Sequence, residues 1–294
     1  MSKKFRAVIF SLVFFLVVAA AIGTGVYFLK YKSGQPSQVA EKKTLLDQII
    51  ANGQIRCAYI PWPPMAIKDP NTGRVSGVFP EVLEKIASNA GLKVVWSEQV
   101  DYGTAIEGLK TRRYDMVGTA IWSNTNRGLH ASFPTPLCFS AVEAFVRVDE
   151  KRIKSLRDVN NPNVTISTIE GEAAEAIARQ DFPKARRTGL PQGTDTAQLY
   201  LELITKKADV VFHDLVAANE FMAKNPNKIK KLAPGKPLRV FANCYMIPKG
   251  GEEFRDFLNI AIEEMLNTGF IDSVLKKYNM EKVTYPVALP YRQW

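Results

Sequence analysis

Four stretches of this chain carry side chains able to hold a small charged molecule. Ala120-Ile-Trp-Ser-Asn-Thr-Asn-Arg127 ends on an arginine, whose planar guanidinium can meet a carboxylate through two parallel hydrogen bonds. Phe212-His-Asp214 supplies an anion just before an apolar helical run, where an aspartate also serves as N-cap. Glu170-Gly-Glu172 stands where another helix begins, and free N–H groups at such a start suit an anion. Pro61-Trp-Pro-Pro-Met65 offers an aromatic ring from a stiff loop. A cation, an anion, a helix N-terminus and an aromatic face together suit a small zwitterion with a carboxylate and an amine. Metal chemistry is not expected: His130 and His213 are the only histidines, and neither CxxC nor HExxH occurs. Cys57, Cys138 and Cys244 are too few for a disulfide framework, although one pair, Cys138 with Cys244, could form.

The elements that position these stretches alternate along the chain. Ile55 to Ile60 reads as a strand, and Pro80 opens a helix whose apolar Val82, Leu83, Ile86, Ala87 and Ala90 recur at i, i+3 and i+4 until Gly91. Leu92 to Trp96 and Met116 to Ala120 are strands flanking a helix at Ala105 to Lys110. The order recurs with a strand at Val164 to Ile169, helices at Glu172 to Gln180 and Ala197 to Lys206, and a strand at Asp209 to Phe212. Asp214 then caps a helix from Leu215 to Ala223. Such alternation predicts an α/β fold with mostly parallel sheets. One phrase occurs twice, as Thr111-Arg-Arg-Tyr-Asp-Met-Val117 and Thr205-Lys-Lys-Ala-Asp-Val-Val211. Each is a helix end running into a buried strand, and the repetition predicts two similar lobes. Ligands of open α/β sheets bind beyond the carboxyl ends of strands, so the four stretches are expected to face one cleft.

The 294 residues carry 39 Lys and Arg against 29 Asp and Glu, a net charge of +10. With 46% hydrophobic and 23% charged residues the composition is that of a folded globular protein, not a disordered or collagen-like chain. Half of the basic excess is Lys3, Lys4, Arg6, Lys30 and Lys32, which flank an uncharged stretch from Ala7 to Leu29. As a helix that stretch would cross a bilayer core of about 30 Å. It reads as an uncleaved anchor with its N-terminus inside, or as a signal segment cut near Ala19-Ala20-Ala21. Either way the body lies outside the cytoplasmic membrane, nucleic acid is not expected as a partner, and Ser33 to Lys43 is a tether.

The ordered phrases from Ile55-Arg-Cys-Ala-Tyr-Ile-Pro-Trp-Pro-Pro-Met65, through Asp115 to Arg127 and Phe133-Pro-Thr-Pro136, to Tyr245-Met-Ile-Pro-Lys-Gly250 and Gly269 to Tyr278 resemble the family 3 extracellular solute-binding proteins. The resemblance implies a two-lobed, type II periplasmic-binding-protein fold, each lobe a mostly parallel sheet flanked by helices, preceded by an N-terminal transmembrane helix or signal segment. It implies residues 1–32 as signal or anchor, 33–44 as tether, 45–148 with 240–294 as lobe 1, and 149–239 as lobe 2. Hinge strands are expected near Val146 to Lys151 and near Arg239 to Asn243.

By the same resemblance Arg127 pairs with a ligand α-carboxylate, Asp214 takes the α-ammonium, Trp62 stacks on the side chain, and the turn at Gly171 donates N–H groups. Ala120, Trp122 and Glu172 occupy ligand-binding positions but depart from the family pattern, which has Gly, Thr, and Thr or Ser there; Phe79 replaces an aspartate. The implied partners are a small amino acid or carboxylate and a membrane ABC permease, with no cofactor and no catalytic residue, in a periplasmic location tethered by residues 7–29. Two other readings remain open: a cyclohexadienyl-dehydratase-like enzyme with Glu172 as general acid, and an anchored sensor working through another chain.

Overall fold

The computed structural model describes residues 14–27 and 43–285. Residues up to Lys43 form one unit and those from Thr44 another. Residues 14–27 are helical with exposed side chains. Both ends of the expected Ala7 to Leu29 span lie outside the described residues, as does nearly all of the expected tether. Among the described residues no helix is long and apolar enough to cross a membrane.

In the larger unit the expected alternation is present. Strands Gln54–Tyr59, Lys93–Gln99 and Met116–Trp122 run parallel in one half of the sheet, with Gln54–Tyr59 in the middle. Strands Thr165–Ile169, Arg186–Leu190 and Val210–Asp214 run parallel in the other half, with Thr165–Ile169 in the middle. Two long antiparallel strands, Cys138–Arg147 and Arg239–Pro248, join the halves into one sheet. They pair with each other over Cys138 to Val142 and Arg239 to Asn243, upstream of Val146 to Lys151 on the first strand. Beyond that contact Cys138–Arg147 pairs with Val210–Asp214 of the second half, while Arg239–Pro248 pairs with Met116–Trp122 of the first.

The apolar core is divided in the same way. Four clusters of buried side chains cover the two faces of each half-sheet, and the buried members of each cluster come from one half only. Helix Val78–Asn89 shows why: Val78, Phe79, Val82, Leu83 and Ile86 form one buried stripe against the first half. Each large side chain so buried contributes roughly 1.5–3 kcal/mol, and none of that depends on the second half. Phe79, in place of an acid, is core: its ring meets Tyr245 edge-on at 5.1 Å, and its carbonyl accepts the Tyr245 hydroxyl at 2.8 Å. Cys57, Cys138 and Cys244 are buried free thiols.

The repeated phrase forms the same joint in both halves. Thr111 and Thr205 are helix C-caps whose hydroxyls return to carbonyls one turn back, at Glu107 and Leu201. Arg112 and Lys206 then adopt left-handed φ of 58° and 64°, turning the chain toward the sheet. Asp115 and Asp209 finish the joint. Each accepts a backbone N–H near the start of the neighbouring strand, from Arg56 at 2.8 Å and Thr165 at 3.0 Å, and each pairs with an arginine, Arg56 or Arg152.

Gly108 allows the first joint to close. A β-carbon there would overlap the ring and hydroxyl of Tyr114, which is fully buried and donates to the Ala105 carbonyl at 2.7 Å. Gly108→Ala should therefore destabilise by about 2 kcal/mol, against the ~1 kcal/mol gain alanine normally brings to a helix. The expected result is a lower urea midpoint at constant slope; a raised midpoint would show that the Tyr114 ring yields freely.

Candidate functional site

The carboxyl ends of all six parallel strands open on one cavity of about 380 Å³, near the lower limit for small-molecule sites. From the first half come Trp62, Tyr102, Trp122 and Arg127; from the second, Glu172, His213 and Asp214. The halves touch at its mouth, where the Gln192 amide lies against Gly103 so closely that a β-carbon there would come within 2.7 Å of Nε2.

Arg127 lies in the short helix Thr125–Gly128, which is capped by Asn124 accepting the Arg127 N–H at 2.9 Å. Its guanidinium donates from Nη1 to the Trp122 carbonyl at 2.8 Å and lies over the Tyr102 ring, 5.5 Å from the centroid. Among the described residues no carboxylate comes within ion-pair distance of it. Burial disfavours its charged form and lowers its pKa, while the nearby Tyr102 and Glu172 oppose that shift. An arginine nevertheless stays protonated, so the cleft holds a positive charge that meets no carboxylate among the described residues.

Trp122 ends the strand Met116–Trp122 and forms a wall. Its ring stacks on Phe241 at 4.8 Å and 10°, meets Trp62 edge-on at 5.6 Å, and donates from Nε1 to Asn243 Oδ1 at 2.9 Å. Asn243, fully buried, donates in turn to Ser140 Oγ at 2.8 Å. Trp62 is held by reciprocal backbone hydrogen bonds with Ala66, both 2.9 Å, which close its loop. Gly77 fits under that loop, where a β-carbon would come within 2.6 Å of the Pro64 carbonyl oxygen.

On the opposite side Asp214 is already engaged. Oδ1 accepts the N–H groups of Val216 at 2.7 Å and Ala217 at 3.2 Å, capping helix Leu215–Lys224, and Oδ2 lies 2.8 Å from His213 Nδ1. Burial would raise the Asp214 pKa, but His213 and the two N–H groups outweigh it and hold the carboxyl low. Burial would lower the His213 pKa, yet Asp214 and Glu172 outweigh that and raise it. Behind them the hydroxyl of fully buried Tyr200 has no hydrogen-bond partner among the described residues.

Glu172 is the N-cap residue of helix Ala173–Asp181, but its side chain makes no capping bond. No hydrogen bond or ion pair reaches its carboxylate from the described residues. Burial raises its pKa; the Asp214 charge adds to that shift, and His213 and Arg127 oppose it.

Two expected positions stand elsewhere. Ala120 does not line the cavity: the strand runs on to Trp122, which leaves Ala120 inside the first half's core at 2% exposure. Gly171 does not line it either, and its N–H is spent on Glu175 Oε2 at 2.9 Å. Tyr102 and Asp101 follow strand Lys93–Gln99, and Gln192 to Thr196 follow strand Arg186–Leu190; the sequence reading missed both loops. The carboxyl-end rule that found the other four would have found the first had it been carried to the strand at Leu92 to Trp96; the second follows a strand that the sequence reading did not locate.

Two α/β lobes joined by a pair of crossover strands, with a solute-sized cavity at their facing carboxyl ends, define a type II periplasmic binding protein. An ancestral amino acid-binding protein, a precursor of cyclohexadienyl dehydratase, has the same fold: its crystal structure superposes with a TM-score of 0.68 at 23% identity, covering 80% of this chain and 99% of that one. The chain belongs to the bacterial extracellular solute-binding proteins, family 3, whose shared pattern it matches over residues 32–281. It is 24% identical over 227 residues to the L-cystine-binding protein TcyA of Bacillus subtilis, across 76% of this chain and 80% of that protein. It is also 22% identical over 220 residues to the cyclohexadienyl dehydratase of Pseudomonas aeruginosa, across 74% and 80%.

Proposed function

We propose that this protein is a periplasmic receptor that captures an amino acid or related small carboxylate and hands it to an ABC permease, held at the membrane by residues 7–29. The observation that carries the reading is an Arg127 guanidinium that lines the cavity and meets no carboxylate among the described residues, facing carboxylates on the other lobe. Bidentate pairing with a ligand carboxylate would engage that guanidinium, and Trp62 and Trp122 would flank the rest of the molecule. The lobes would part and close by bending where Cys138 to Val142 pairs with Arg239 to Asn243. That contact is our proposed boundary between lobe 1 and lobe 2. A family of extracellular proteins, one of them a curated L-cystine-binding relative, favours transport over catalysis.

The test is a thermal-shift screen of the full-length chain in mild detergent against the amino acids and small carboxylates. At least one ligand should raise Tm by several degrees, because binding to the folded state alone adds about 2.7 kcal/mol at a hundredfold excess over Kd. If no carboxylate ligand produces a shift, the receptor reading is lost.

One observation favours a second reading. Glu172 is an unpaired carboxyl whose pKa is raised by burial, as a general acid requires, and a cyclohexadienyl dehydratase is among the relatives. Incubation with prephenate or arogenate separates the two, since a receptor returns its ligand unchanged.

A further inference from the structure

The charges of the cleft are unequal. Asp101, Glu170, Glu172, Asp195 and Asp214 all border the cavity, while Arg127 is its only arginine and no lysine lines it. Asp214 contributes little free charge, because Oδ1 caps its own helix and Oδ2 faces His213. Glu172 differs: it is half-buried, faces the cavity, and has no hydrogen-bond or ion-pair partner among the described residues. Asp101, Glu170 and Asp195 stand exposed at the rim.

We infer that the ligand is a basic amino acid, its α-carboxylate on Arg127 and an amino group on Glu172, with the remaining acids favouring its second positive charge. This deepens the receptor reading and rests on it.

The unpaired groups exclude the other charge classes. A dicarboxylic amino acid would bring a second anion beside the rim acids and a Glu172 that it would keep protonated, and would find no cationic partner for it there. A polyamine without a carboxylate would leave Arg127 half-buried and unpaired, which costs more than an exposed charge. A neutral amino acid satisfies Arg127 and one acid, and leaves the rest of the negative surface uncompensated. Only a ligand with one negative and two positive charges answers both sides. Glu172 thereby acquires a role that its helix does not give it, since its side chain caps nothing. Burial favours the protonated acid in the empty cleft, and an arriving ammonium would restore the carboxylate.

The experiment is calorimetric titration of the full-length chain in mild detergent with L-lysine, L-arginine, L-glutamine and L-glutamate at low ionic strength. Lysine or arginine should bind at least tenfold tighter than glutamine, with glutamate weakest. Glu172→Gln should weaken lysine binding at least tenfold and narrow the lysine-over-glutamine preference, while the ligand-free Tm stays within a degree or two. Glutamine or glutamate binding as tightly as lysine would overturn the basic-ligand assignment and leave the receptor reading standing. An unchanged lysine affinity in Glu172→Gln would overturn the role of that carboxylate. Should none of the four bind and the wider screen also fail, both readings fall together.

Discussion

Arg127→Ala should abolish the ligand-induced rise in Tm while leaving the ligand-free protein folded. Its hydrogen bonds among the described residues are local, a donation to the Trp122 carbonyl and its own N–H on Asn124, so the lobes lose little without the side chain. The ligand loses a charge-assisted, two-pronged partner in a half-buried site. Such a loss typically costs 2–5 kcal/mol, or roughly 30-fold to several-thousandfold in Kd. Arg127→Lys should recover only part of it, because an ammonium keeps the charge and lacks the fork. Calorimetry on the three proteins reads the series directly. Equal affinity in the wild type and Arg127→Ala would place the carboxylate elsewhere in the cleft.

Asp214→Ala should damage stability and binding together. Removing the N-cap from helix Leu215–Lys224 costs about 1 kcal/mol, and leaving buried His213 without its counter-charge adds about 1–3 kcal/mol. For a unit of this size each kcal/mol lowers Tm by about 2–4 °C, so a fall of roughly 4–16 °C is expected. The pH dependence has a definite sign. His213 has its folded pKa raised, so its stabilisation is fully present below about pH 6.5 and fades as pH rises through the raised value. Asp214 has its folded pKa lowered, so its stabilisation is present above about pH 4 and fades as pH falls through the lowered value. The gap in Tm between wild type and Asp214→Ala should thus be widest near pH 5–6 and shrink as pH rises through the raised His213 value, above which the cap alone remains. Asp214→Asn, able to cap but uncharged, should lose less. A gap independent of pH would mean that the His213 contact carries no stabilisation.

Much of this architecture is legible in the residues. Apolar spacing located the helix before Gly91, the helix Ala105–Lys110 and the strands Met116–Trp122 and Thr165–Ile169 to within a few residues, because each buries one continuous stripe or face. Arg186–Leu190 escaped because it is an edge strand, mostly exposed, with Arg-Arg-Thr-Gly at its start and no period-two alternation. With it went the loop that carries Gln192 to Thr196. At the site, residue type was informative where chemistry is exacting: Arg127, Asp214, Glu172, Trp62 and Trp122 all reach the cavity. It was uninformative where backbone decides. Whether Ala120 or Trp122 emerges from the sheet depends on where the strand ends, and whether the Gly171 N–H is free depends on Glu175 four residues later. The cap role of Asp214 was readable from sequence; its contact with His213, the residue before it, was not.

The grip on Trp122 gives the cavity wall a mechanical property. Asn243 holds the indole nitrogen and Phe241 lies flat against its ring, and both belong to the strand that runs between the lobes. The indole and that strand are therefore one stiff lever, bolted at one end and faced by tryptophan at the other. A solute pressed against Trp122 would push on the strand itself, so occupancy of the cavity and the proposed bend of the crossover would be felt through the same few atoms.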